Sequence, residues 1–168
     1  DVAPRLSNDE RTLLFTSIRP GGQGIWDVWR TRRTSREAAF GPAENVGSEL
    51  NSADSDFHAA FAADDRTLLF LRGGSDIKVC RLFMAAPDAS GQYQTTALDF
   101  PVTGKLSNPW LSTDGRTLWF AWDGPGSLGD MDLWEIRRVP KAKKNPAAPI
   151  KTSASSSAAT KDAPFENT

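Results

Sequence analysis

The chain has 168 residues, 39% of them hydrophobic and 24% charged, with a net charge of −1, the profile of an ordinary globular chain with room for one domain. No run approaches the ~20 apolar residues that span a membrane, and near-neutral charge without a basic groove argues against nucleic acid as the main partner. With one cysteine, Cys80, and one histidine, His58, no intrachain disulfide and no His-His or Cys-His metal cluster can be built.

One unit recurs three times along the chain. A short apolar run (Pro4–Ser7, Ala59–Ala62, Pro109–Ser112) leads into an acidic turn (Asn8–Glu10, Ala63–Asp65, Thr113–Gly115) and then a strand opening on Arg-Thr-Leu (Arg11–Phe15, Arg66–Phe70, Arg116–Phe120). Phe15, Phe70 and Phe120 recur at spacings of 55 and 50 residues, a period in the range of propeller blades. Asp and Asn bond their own backbone two residues on, so each acidic stretch predicts a tight hairpin. In the strand that follows, Leu13/Phe15, Leu68/Phe70 and Leu118/Phe120 each share one face. Gly-rich stretches at 20–24, 73–75 and 124–129 predict a second hairpin. The third strand is Asp27-Val28-Trp29 in the first copy and Asp132-Leu133-Trp134 in the third; in the second, Lys78-Val79-Cys80 is the best match, with Cys80 or Lys78 at the Trp position. Fourth strands are expected over Ala43–Val46 and Thr95–Phe100. Four short antiparallel strands per ~50 residues make a propeller blade.

The elements Leu111–Phe120, Arg19–Trp29 and Phe40–Gly47 followed by Asn51-Ser52 resemble the bacterial WD40-like β-propeller repeat of the TolB type over roughly residues 3–139. The resemblance implies an all-β partial propeller of three four-stranded antiparallel blades, about 3–56, 57–105 and 106–139. It also implies a scaffold in the cell envelope or outside the cell more than a reaction. Phe15, Asp27, Trp29, Phe70, Asp114, Phe120, Asp132 and Trp134 are its structural repeat residues, with Asp27 and Asp132 placed to cap hairpin amides.

No catalytic set is recognisable. Gly126-Ser127-Leu128-Gly129 misses the nucleophile-elbow pattern, and Ser112–Trp119 differs from the sialidase Asp-box by a shifted Gly and Trp. Asp54-Ser55-Asp56 lacks the remaining positions of a calcium loop and reads as a turn ending in a strand. No metal site and no cofactor is expected. The basic run Arg30–Arg33 reads as a solvated strand end. Blade three holds Trp110, Trp119, Trp122 and Trp134, four of the six tryptophans; inter-blade packing is the favoured reading, an aromatic platform for sugars or a partner the other. Trp110, Trp122, Arg19 and Arg72 are the candidate binding residues. From Pro140 the composition turns to Pro, Ser, Ala and Lys, a flexible tail of net charge +3 on a body of −4.

The expected function is a non-catalytic propeller module that binds a protein or glycan partner, periplasmic or secreted. The competing reading is a fragment of a propeller hydrolase (glycoside hydrolase or lactonase) or an accessory propeller of a peptidase. Asp1 lies inside the first repeat, and three blades do not close a ring of the usual ~4–8. The chain is therefore expected to be part of a longer propeller, the favoured reading, to self-associate to complete one, or to stay an open arc.

Overall fold

The computed structural model describes residues 1–138 except 76, 101 and 103, together with the backbone of 160–162. It is all-β. β1 (Val2–Leu6), β2 (Thr12–Ser17), β3 (Asp27–Arg32) and β4 (Glu44–Asn45) form one sheet in that order. β5 (Ser55–Phe61), β6 (Leu68–Gly73), β7 (Cys80–Pro87) and β8 (Tyr93–Ala97) form a second. β9 (Leu106–Leu111), β10 (Thr117–Trp122) and β11 (Asp132–Arg137) form the third, with β12 (Thr160–Asp162) beside β11.

Each β1–β2-type hairpin is closed by the same turn. The amides of Ser7, Ala62 and Ser112 donate to the carbonyls of Thr12, Thr67 and Thr117 at 2.8–2.9 Å. A left-handed residue completes each turn: Glu10 (φ 60°), Asp65 (φ 51°) and Gly115 (φ 67°). The Ser7 and Ser112 hydroxyls donate to Asp9 and Asp114 at 2.6 Å and hold both carboxyls below the usual carboxylate range. At Asp64, burial pushes the carboxyl up, but bonds from Thr67 and from the Arg66 amide outweigh it and the net shift is downward. The turns are thus set by local polar bonds, before any blade meets another.

The sheets meet along their first strands, with β1 against β5 and β5 against β9, so they fan out from a shared inner edge. One apolar core lies between sheets one and two (Leu14, Val28, Leu50, Leu68, Phe70, Ala85). A larger one lies between sheets two and three, around Leu69, Leu71, Leu82, Leu118, Phe120 and Trp134. Side chains alternate across a strand, so β6 sends Leu68 and Phe70 one way and Leu69 and Leu71 the other. The middle sheet is buried on both faces.

The structure corrects several expectations. Strand β7 starts at Cys80, and Phe83, rather than Cys80 or Lys78, stands opposite Phe70, as Trp29 faces Phe15 and Trp134 faces Phe120. The second hairpin of copy two is one residue shorter than its counterparts, and Arg81-Leu82-Phe83 lacks the Asp and Trp that mark this strand in the other two copies. The fourth strands are Glu44–Asn45 and Tyr93–Ala97, and in the third sheet the fourth position belongs to β12, which runs parallel to β11 where an antiparallel strand was expected. The remainder of the expected flexible tail lies outside the described residues.

Candidate functional site

The inner strands are irregular at one repeated place. Ala3, His58 and Asn108 occupy the same position in the three copies. All three are left-handed, at φ 51°, 54° and 49°, and each sits where the pairing of the inner strand with its neighbour shifts register. Non-glycine residues rarely adopt this conformation, and such bulges re-aim side chains next to functional sites. Here they turn one polar residue from each of blades two and three toward the shared inner edge.

Those residues meet. The His58 amide donates to Thr16 Oγ1 of blade one at 3.0 Å. Its Nδ1 accepts the Asn108 amide at 3.2 Å and lies 3.1 Å from Ser107 Oγ. Asn108 Nδ2 donates to Ser107 Oγ at 2.9 Å, and Arg5 donates to Asn108 Oδ1 at 3.3 Å. The cluster therefore ties all three blades together. Because Nδ1 is an acceptor, the ring proton is assigned to Nε2. Burial, reinforced by the Arg5 charge, lowers the His58 pKa to about 4, so the ring is neutral at physiological pH.

Chemically the cluster presents a cation (Arg5), an exposed amide (Asn108), a hydroxyl and a neutral imidazole. The Ser107–His58 contact has the look of a nucleophile and its base. Among the described residues, however, no carboxylate bonds to His58, and a base with a pKa of about 4 takes up a proton poorly at neutral pH.

A depressed histidine pKa also makes a stability prediction. Unfolded His58 binds its proton near pH 6.5 and folded His58 only near pH 4, so the unfolded state holds more protons between those values, and stability falls as pH drops through that window. The full effect is on the order of 2 kcal/mol after allowance for partial exposure. His58→Asn keeps an acceptor and tolerates the left-handed backbone, and its denaturation midpoint is expected to fall less than that of the wild type between pH 6.5 and 4. Parallel pH profiles for the two would refute the assignment.

The sequence-predicted binding residues do not converge on this cluster. Trp122 is 4% exposed, packed edge-on against Trp134 at 4.9 Å and paired across the sheet with Leu106; its expected role as a surface contact is corrected to core. Arg72 bonds to Asp56 and to the Leu50 carbonyl, both at 2.6 Å, and lies over Phe83 at 4.6 Å, which also makes it a packing residue. Arg19 does the same more openly, donating to Asp1 at 2.7 Å over Phe15 and Trp29. Trp110 is 46% exposed and rests on Trp119 at 4.8 Å.

The recurring aspartates differ in depth. Asp27 is buried, accepting from the amides of Gln23 and Gly24 and from Asn45 Nδ2. Asp132 accepts the Leu128 amide. Asn51 brackets Val28, giving and receiving at 2.9 Å. Asp56, in the Asp54-Ser55-Asp56 stretch, is fully buried. Burial holds its carboxyl above the usual carboxylate range, opposed by bonds from Ser52 and Arg72. Sequence reasoning missed the His58–Ser107–Asn108 meeting; the available signal was that Ala3, His58 and Asn108 recur at the phenylalanine spacing.

Sheets that fan from a shared inner edge, with apolar cores between their faces, are the blades of a β-propeller. The fold is specifically TolB-like: the crystal structure of TolB from Acinetobacter baumannii matches 79% of this chain and 29% of that chain, with a TM-score of 0.52 and 19% identity. The chain thus spans under a third of that protein's length, and at this identity the likeness shows the fold alone. No protein-family model matches the chain, and no curated protein does. Among the described residues, no helix is long and apolar enough to cross a membrane.

Proposed function

We propose that this chain is a non-catalytic propeller module that binds a protein or glycan partner in the bacterial cell envelope, on the periplasmic or outer side, through the inner-edge cluster of Arg5, His58, Ser107 and Asn108. The observation that carries this reading is the repeated left-handed bulge. Of three energetically costly backbone positions, two, His58 and Asn108, bring polar side chains to the edge where all blades meet, as a preorganised recognition site requires. The TolB-like fold supports a propeller interaction role. The test is co-sedimentation of the chain with isolated envelope fractions, alongside product analysis. The wild type should be retained, and an Arg5→Gln/Asn108→Ala variant should lose at least tenfold in retention without loss of fold. Equal retention of the two, or release of a hydrolysis product, would refute the reading.

The outward faces of the first and third sheets support a second proposal, self-association. Leu13 and Phe15 of blade one are equivalent to Leu68/Phe70 and Leu118/Phe120, which pack onto the preceding blade. Trp119 of blade three is equivalent to Leu14 and Leu69, which pack onto the following one. The two outward faces are thus complementary halves of one blade interface. A second copy joined through them gives a six-blade ring, within the range of closed propellers. Light scattering should then give twice the chain mass, reduced to one by Trp119→Glu.

A further inference from the structure

The two blade junctions differ at one point. Between blades one and two, the Asp65 carboxylate accepts the backbone amides of Asn8 and Asp9 at 2.7 and 3.2 Å, and Asn8 Nδ2 donates to the Ala63 carbonyl. One turn thus rests on the next. At the second junction the equivalent residues are Ala63 in place of Asn8 and Gly115 in place of Asp65. A Cβ placed on Gly115 would meet nothing within 4 Å. Here the blades leave a cavity of about 100 Å³. Most of its lining is apolar, with Leu69, Met84 and Leu98 from blade two and Leu111 and Leu118 from blade three. Gly115, Arg116 and Arg138 form the rest of its lining.

The charge at this cavity is one-sided. Arg116 and Arg138 are both exposed, and the Arg138 amide donates to the Arg116 carbonyl at 2.7 Å, which keeps the two neighbours on adjacent strands. Neither has an ion pair among the described residues. Asp114, on the same turn, is already bonded by the Ser112 hydroxyl and the Arg116 amide and feels the Arg116 charge, and across the junction Asp64 is held by the Thr67 amide and hydroxyl. Arginine pairs with carboxylates through parallel N–H donors. A largely apolar cavity of this size takes one branched aliphatic side chain and gains by burying it.

We propose that the junction of blades two and three is a binding site for the C-terminal aliphatic residue of a peptide or protein chain. The side chain enters the cavity among Leu69, Met84, Leu98, Leu111 and Leu118. The terminal carboxylate sits by Gly115 between Arg116 and Arg138, at the repeat position that Asp65 fills with a carboxylate in the first junction. Capture of a C-terminal carboxylate is an established recognition mode, and arginine suits that carboxylate. The site shares no residue with the inner-edge cluster, so the two are tested separately.

The experiment is calorimetric titration of the whole chain with an acetylated tripeptide ending in leucine, as the free acid and as the amide. The free acid should bind at least tenfold more tightly. Gly115→Asp supplies the carboxylate from within, at a position whose counterpart Asp65 already tolerates the same backbone; it should abolish binding of the acid while leaving the melting temperature within a few degrees. Arg116→Gln/Arg138→Gln should weaken the acid at least tenfold and the amide little. Equal binding of acid and amide, undiminished binding by Gly115→Asp, or no binding at about 1 mM peptide would overturn the proposal. So would 4-methylpentanoate binding as tightly as the peptide, which would assign the cavity to free aliphatic acids.

Discussion

Replacing Arg72 with methionine is expected to destabilise the chain by about 3–5 kcal/mol, because it strands a charge in the core. Asp56 is fully buried. Its Oδ1 receives the Arg72 guanidinium at 2.6 Å, and its other oxygen receives the Ser52 amide and hydroxyl at 2.6 and 2.7 Å. Arg72 also holds the Leu50 carbonyl, so this one side chain ties blade two to the segment entering it. A loss of that size is a large part of the ~5–15 kcal/mol that stabilises a typical domain. The third blade shows that the pair is replaceable as a pair. Asp56 and Arg72 are cross-strand partners, and at the equivalent places of β9 and β10 stand Leu106 and Trp122, both buried. Asp56→Leu/Arg72→Met should therefore recover at least half of the loss, since a buried ion pair exchanged for apolar groups of similar volume is often neutral. Urea denaturation of the wild type, both single variants and the double closes the cycle. A single-variant loss below about 1 kcal/mol, or strictly additive losses, would contradict this account.

Phe70→Ala should cost a similar ~3–5 kcal/mol, the range for a buried aromatic truncated in a core. Phe70 has no exposed surface, lies in the core between blades one and two, and stacks on Phe83 with centroids 5.5 Å apart. The informative comparison is Phe15→Ala, which removes the same repeat residue. Phe15 points away from blade two and lines an open groove with Asp1, Val2, Pro4 and Leu13, covered in part by Arg19 at 4.7 Å. Less of its surroundings is lost on truncation, so its cost should be about half that of Phe70. Equal costs would mean that a further blade covers the outward face of blade one in solution, and the solution mass would then exceed that of one chain.

The acidic turns were legible because their chemistry is local. Asp9, Asp64 and Asp114 bond within four residues of themselves, and the strand following each turn buries alternate residues whatever its neighbours are. The middle copy shows the limit of such reading. Phe83 stands in the place expected of Cys80 or Lys78 because copy two lacks the Asp and Trp that mark this strand elsewhere, and only strand pairing fixes that register. Burial was still less accessible. Trp110 and Trp122 look alike in sequence, yet one is half exposed and the other sits in the core, because blade two covers one face of blade three and not the other. The inner-edge cluster joins residues about 50 positions apart, and no local pattern brings His58 to Ser107. The repeat, its hairpins and the all-β propeller class follow from residue order alone, since these rest on turn chemistry and alternation within a few residues. Which faces are covered, which charges are paired, and where a cavity opens between sheets emerge only when the blades pack, because each of those depends on atoms contributed by a different copy of the repeat.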